Sequence, residues 1–159
     1  MRSTRVSRIV LAPRERVYAA LLDPAEVAQW KFPDGMRCEV HTFEPREGGA
    51  IRVSLTYVTS SGTGKTTAHT DTYHGRFIEL VPDERVVEVD EFETDDPALR
   101  GEMTITISLA DVADGTEVTG VHEGLPAGVL LADNEEGWRS ALVRLAKLVE
   151  ASSGAGSVT

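Results

Sequence analysis

The chain has 159 residues, which is the length of one ordinary domain. Its residues are 41% hydrophobic and 26% charged, which is typical of a globular protein. Sixteen basic residues against 26 acidic ones leave a formal net charge of −10, which argues against a nucleic-acid partner. The single cysteine, Cys38, cannot form an internal disulfide. No apolar run approaches the roughly 18 residues that a membrane span needs. We therefore expect a cytoplasmic protein that has no membrane-spanning segment.

The first thirty residues predict a strand followed by two short helices. Residues 5–11 alternate in polarity as a strand does. Residues 13–22 begin with a proline, which suits the first helical position, and carry apolar side chains at helical spacing. Asp23 is then a candidate N-cap for a second short helix over about residues 24–30.

The middle of the chain predicts an antiparallel sheet. From Met36 to Glu123 the hydrophobic period changes to two, and turn-forming pairs such as Asp114-Gly115 separate six runs. Six strands without helices between them favour an antiparallel meander. The acidic run Asp83–Asp96 carries eight carboxylates, and we interpret it as a solvated sheet face followed by a loop.

The C-terminal segment predicts a long amphipathic helix over about residues 130–150. Its apolar stripe consists of Leu131, Trp138, Leu142, Leu145 and Val149. Trp138, in the middle of the stripe, is expected to anchor the helix to one face of the sheet. The order of elements therefore predicts an α+β fold, in which a curved antiparallel sheet wraps around a long C-terminal helix. Residues 151–159 are small and polar and predict a flexible tail.

Five local patterns carry a family resemblance, in the order residues 12–18 (APRERVY), 23–30 (DPAEVAQW), 47–49 (EGG), 75–82 (GRFIELVP) and 122–126 (HEGLP) with 137–138 (GW). Together they resemble the START-like (SRPBCC) superfamily. Within it, they are most similar to bacterial stand-alone proteins like the C-terminal domain of the activator of heat-shock-protein-90 ATPase. The likeness covers about residues 4–150 and implies a helix-grip fold, with residues 1–150 as a single START-like domain. Many relatives carry a histidine where this chain has Asn134, so a protonatable group is lost there.

The resemblance implies a gap between the last helix and the sheet, in which relatives bind apolar molecules. Ten residues are expected to contact a ligand there: Trp30, Phe32, Met36, Tyr57, Phe77, Phe92, Met103, His122, Asn134 and Trp138. The aromatic and methionine side chains, with Phe43, would form the wall, and His122 and Asn134 would orient the ligand. Each also has a structural interpretation, as core packing for the apolar residues and as internal hydrogen bonding for the two polar ones.

We expect no metal and no cofactor. The four histidines lack the paired spacing of a metal site, and residues 62–66 (GTGKT) lack the first glycine and the following helix of a phosphate-binding loop. Three functions stay open: binding of a small apolar molecule as a sensor or carrier, an enzyme of cyclase, dehydratase or hydrolase type, and a chaperone cofactor or other protein-interaction module. No catalytic residue is assigned, and either a monomer or a homodimer is expected. A titratable pair deep in the cavity would favour the enzyme.

Overall fold

The computed structural model describes residues 2–58 and 70–158, with side chains up to residue 151. Residues 62–66, where the sequence argues against a phosphate-binding loop, lie outside the described residues. The elements within them, in chain order, are β1 (Ser3–Val10), α1 (Arg14–Leu22), α2 (Pro24–Trp30), β2 (Met36–Phe43), β3 (Ala50–Tyr57), β4 (Thr70–Val81), β5 (Arg85–Phe92), β6 (Met103–Val112), β7 (Gly115–Glu123) and α3 (Leu131–Val158). None of these helices is long and apolar enough to cross a membrane.

The seven strands form one antiparallel sheet in the order β1-β7-β6-β5-β4-β3-β2. Strands β2 to β7 follow one another as the predicted meander. Strand β1 forms the edge of the sheet opposite β2. It pairs with β7, and Val6 of β1 lies opposite Gly120 of β7. The helix-grip α+β fold is therefore confirmed, although the backbone of α3 is helical to Val158 rather than to about residue 150.

The main core lies between the inner face of the sheet and the middle of α3. Leu142, Leu145 and Val149 are fully buried there against inner-face residues such as Ile107 and Val118. Trp138, one turn before Leu142, is only half-buried. The helix is thus held to the sheet mainly beyond Trp138, and its first turns are less tightly docked.

Helix α2 places the next residue, Lys31, at the inner face of the sheet. The Asp23 carboxylate caps this helix by accepting the backbone N–H of Ala25 at 2.9 Å and that of Glu26 at 3.4 Å, as the sequence predicts. At the other end, Trp30 is buried and its indole Nε1 donates to the Ala20 carbonyl at 2.9 Å. The fixed end of α2 determines where the following segment enters the site.

Candidate ligand-binding site

A cavity of about 580 Å³ lies between the beginning of α3 and the sheet. Its apolar wall is formed by Phe32, Met36, Leu55, Tyr57, Tyr73, Phe92, Met103, Ile105, Leu125, Val129 and Trp138. Its polar and charged lining residues are Lys31, Asp34, Asp71, Asp90, His122, Asp133, Asn134, Glu136 and Ser140. A mostly apolar wall with a limited number of polar groups is typical of small-molecule sites.

The rim of the cavity is fixed by contacts between α3 and the segment after α2. The Arg144 guanidinium lies 4.4 Å from the centre of the Phe32 ring and donates to the Phe32 carbonyl at 2.8 Å. It also forms an ion pair with Asp34. About two turns of α3 earlier, a Cβ on Gly137 would lie 3.3 Å from Pro33 Cβ. The glycine therefore permits a close approach of the two segments at the rim.

Eight of the ten residues expected at the site line the cavity: Phe32, Met36, Tyr57, Phe92, Met103, His122, Asn134 and Trp138. The other two, Trp30 and Phe77, lie in the packed core with 0% and 2% of their surface exposed. The Phe77 ring meets Phe43 edge to face, with 5.4 Å between ring centroids. An inner-face aromatic reaches the cavity only where α3 is not docked, and the sequence pattern does not show where docking begins.

His122 is the centre of a hydrogen-bonded group on one wall. Its Nδ1 accepts from the indole Nε1 of Trp138 at 3.1 Å and from the amide of Asn134 at 3.2 Å. Because both partners donate, Nδ1 is unprotonated and the proton is on Nε2, which lies 3.3 Å from the Met103 sulfur. Burial lowers the pKa of His122 to about 4, so the ring is neutral at pH 7. The Asn134 carbonyl accepts from the Thr4 hydroxyl, so both ends of this amide are bonded within the protein.

A buried charged cluster, formed by Lys31, Glu88 and Asp90, was not predicted. Glu88 and Asp90 are each 1% exposed, and the Lys31 ammonium pairs with Glu88. The interpretation of the acidic run as a solvated sheet face is therefore wrong for these two residues. Both faces of β5 mix apolar and acidic side chains, so the period alone does not identify the inner face. The available signal was that Glu88 and Asp90 are in phase with Val86 and Phe92.

The three groups of this cluster differ in charge. Burial opposes the charged forms of Lys31 and Glu88, but their attraction outweighs it, so the pKa of Lys31 is raised and that of Glu88 is lowered. Burial, repulsion by Glu88 and a hydrogen bond to Glu88 together raise the pKa of Asp90 well above its usual range. A proton on Asp90 allows it to donate to Glu88. The cluster then consists of one ion pair and one neutral carboxylic acid.

Solved structures resemble the whole fold. The crystal structure of a Chromobacterium violaceum protein is 37% identical, with a TM-score of 0.83, and the match covers 93% of this chain and 96% of that one. A Rhodobacter sphaeroides protein is 25% identical, with a TM-score of 0.76, and the match covers 94% and 92%. A Silicibacter pomeroyi protein is 20% identical, with a TM-score of 0.76, and the match covers 95% and 99%.

Sequence comparison identifies the family. No curated protein has a significant match to the chain. The family profile described as "Activator of Hsp90 ATPase homolog 1-like protein" matches residues 11–150, which include the cavity-lining segments from Lys31 to Ala141. The chain therefore belongs to the activator of Hsp90 ATPase homolog 1-like family, as the sequence motifs and the helix-grip fold indicate.

Proposed function

We propose that the protein binds a small, mainly apolar molecule in the cavity between α3 and the sheet, as a sensor or carrier. The observation that carries the proposal is the cavity, whose volume of about 580 Å³ lies within the roughly 300–1,000 Å³ of small-molecule sites. A START-like fold is consistent with a ligand-binding domain.

The packing around the cavity supports the same role. A second small core of Met103, Leu125 and Val129, with Phe92 packed against it, lies beside the main one, and all four residues also line the cavity. Their apolar surfaces would be covered by a bound molecule, and burial of apolar area contributes roughly 25 cal/mol per Å². Trp138 lines the same space, so its fluorescence is expected to respond to binding.

The experiment is a titration with N-phenyl-1-naphthylamine, an uncharged probe that fluoresces in apolar surroundings. We expect saturable binding of one probe per chain. Leu55→Trp should weaken binding at least about tenfold, because Leu55 is on the wall and the larger ring occupies the space of the probe.

Ile9→Trp provides the matched control, since Ile9 lies on β1 with 54% of its surface exposed and away from the cavity wall. This variant should bind like the wild type, and thermal unfolding should establish that both variants fold. Absence of saturable binding to the wild type contradicts the proposal. Unchanged binding by a folded Leu55→Trp protein contradicts the location.

A second candidate function, an enzyme of cyclase, dehydratase or hydrolase type, is favoured by the buried Glu88–Asp90 pair beside the cavity. Carboxylic acids with a raised pKa serve as proton donors in many active sites. A β-hydroxyketone with a hydrophobic substituent, tested for loss of water, and a naphthyl ester, tested for hydrolysis, are suitable substrates. Turnover that disappears in Asp90→Asn while probe binding remains would support the enzyme. Equal turnover by both proteins would contradict it.

A further inference from the structure

Asp90 is a buried carboxyl group on the cavity wall without a donor from the protein. It is 1% exposed, and within residues 2–58 and 70–158 neither of its oxygens accepts a hydrogen bond. The neighbouring Glu88 differs, because one of its two oxygens is paired with Lys31 and only the other lacks a hydrogen-bond donor. A buried acceptor without a donor costs about 1–3 kcal/mol, and more if it is charged. A bound molecule that supplies a donor at Asp90 would remove this cost.

The charges of the lining residues favour a positive group. Besides Asp90, which holds a proton when no ligand is bound, four lining side chains are carboxylates: Asp34, Asp71, Asp133 and Glu136. Lys31 is the one cationic side chain among the lining residues that the structure describes, and its ammonium is held by Glu88. Arg144 lies at the rim, where it pairs with Asp34. A negatively charged head would be repelled here, whereas a positively charged one would be attracted.

The surroundings of Asp90 are also suited to a cation attached to an apolar body. Phe92 follows it by two residues on the same face of β5, and Phe92, Tyr73 and Trp138 are all on the cavity wall. Aromatic rings attract cations through their faces and provide apolar area for the rest of the molecule. An ammonium group at Asp90 takes the place of the carboxyl proton, which is released to solvent.

From this arrangement we infer that the ligand is a hydrophobic amine, and that its ammonium group binds Asp90 while its apolar body fills the cavity. The inference rests on the proposed function and specifies the chemical class of ligand for the same site. It requires Asp90 to act as an anchor in the bound state rather than only as a partner of Glu88.

The experiment compares three molecules with the same phenylbutyl body: 4-phenylbutylamine, 4-phenylbutanol and 4-phenylbutyrate. At pH 7 their heads are positive, neutral and negative. Isothermal titration calorimetry with the wild-type protein should show the amine binding at least about tenfold more tightly than the alcohol, and the carboxylate binding most weakly.

Two variants locate the effect. Asp90→Asn keeps the shape of the side chain and its ability to donate to Glu88, and it should weaken amine binding at least about tenfold while changing alcohol binding less than about twofold. Asp133→Asn removes an exposed carboxylate from the same wall, where solvent screens the charge, so it should weaken amine binding slightly and by much less than Asp90→Asn does.

The outcomes separate the inference from the proposed function. If the alcohol binds as tightly as the amine, or if Asp90→Asn weakens both equally, the amine inference is wrong and the apolar cavity site stands. If Asp133→Asn weakens amine binding as much as Asp90→Asn does, the attraction comes from the general acidity of the wall and Asp90 is not the anchor. If none of the three molecules binds, and N-phenyl-1-naphthylamine does not bind either, the proposed function itself is wrong. The wild-type comparison stays decisive even if Asp90→Asn does not fold.

Discussion

Gly75 on β4 and Asp90 on β5 lie opposite each other in the sheet, and the missing side chain of the glycine leaves the space that the carboxyl group occupies. A Cβ at position 75 would lie 2.4 Å from Asp90 Oδ1 and 1.9 Å from the Val89 carbonyl oxygen. The second contact is with backbone, which cannot move aside without distorting the strand pair. The buried acid of the site and the local geometry of the sheet are therefore linked.

Gly75→Ala is expected to destabilise the protein by about 1–3 kcal/mol or more, because the added methyl group overlaps the neighbouring strand. Gly120→Ala is the matched control, since Gly120 also lies within a strand and an added Cβ would meet the Trp138 ring at an ordinary 3.6 Å. Urea unfolding of both variants measures the difference. Equal stability of the two alanine variants would contradict the role assigned to Gly75.

Lys31→Met is expected to destabilise the protein by about 3–5 kcal/mol, because it leaves the buried Glu88 carboxylate without its cation. The double variant Lys31→Met, Glu88→Leu should recover part of the loss, since the uncompensated charge is then gone. Both are measured by denaturant unfolding at pH 7.

The half-exposed pair of Arg85 and Glu79 provides the comparison. Arg85→Met should cost much less than Lys31→Met, because water replaces the lost partner of an exposed carboxylate. Similar losses for Lys31→Met and Arg85→Met would mean that burial of the Lys31–Glu88 pair has little energetic consequence.

The order of elements was predictable because the hydrophobic period changes sharply, from helical to alternating at Met36 and back to helical at Leu131. The capping role of Asp23 was predictable for a similar local reason. The boundary between packed core and open cavity was not, because it depends on where α3 leaves the sheet. Trp30 and Phe77 lie on the packed side of that boundary.

The acidic cluster shows a different limit of sequence reasoning. Charged residues are usually exposed, so Glu88 and Asp90 were assigned to solvent together with the rest of their run. Their burial depends on Lys31, a residue 57 positions away from Glu88 that reaches it only after α2 has been fixed. A pairing of this kind comes from tertiary structure and leaves no local periodic signal.

Leu145→Ala is expected to destabilise the protein by about 2–5 kcal/mol, and more than Trp138→Ala. Leu145 is fully buried in the main core, whereas Trp138 is half-buried and borders an existing cavity, so its removal enlarges a space that is already open. The sequence predicted Trp138 as the anchor of the helix. Urea unfolding of the two variants shows which residue contributes more to anchoring the helix. A larger loss of unfolding free energy in Trp138→Ala than in Leu145→Ala would mean that Trp138 is the main anchor, as the sequence predicts.

The buried His122 is expected to make the protein less stable in acid. Burial lowers its folded-state pKa to about 4, aided by the positive charge of Lys31 and opposed by Glu88. The unfolded chain has an ordinary histidine pKa of about 6.5, so the unfolded state takes up the proton first as the pH falls. Stability from this group is complete above about pH 6.5 and is lost progressively down to about pH 4, with a total of about 3 kcal/mol.

Asp90 titrates in the opposite sense, because its raised pKa keeps a proton on the folded state and adds stability as the pH falls. The His122 contribution is therefore isolated by comparing the wild type with His122→Asn, whose Oδ1 can still accept from Trp138 and Asn134 while nothing at that position titrates. From pH 6.5 to pH 4, the wild type should lose about 3 kcal/mol more unfolding free energy than His122→Asn does.

The NMR titration of the His122 ring protons, assigned by their absence in the variant, should have its midpoint near pH 4. A midpoint near 6.5 would mean that the ring is open to water in the folded protein, and the hydrogen-bonded wall formed with Trp138 and Asn134 would then be wrong.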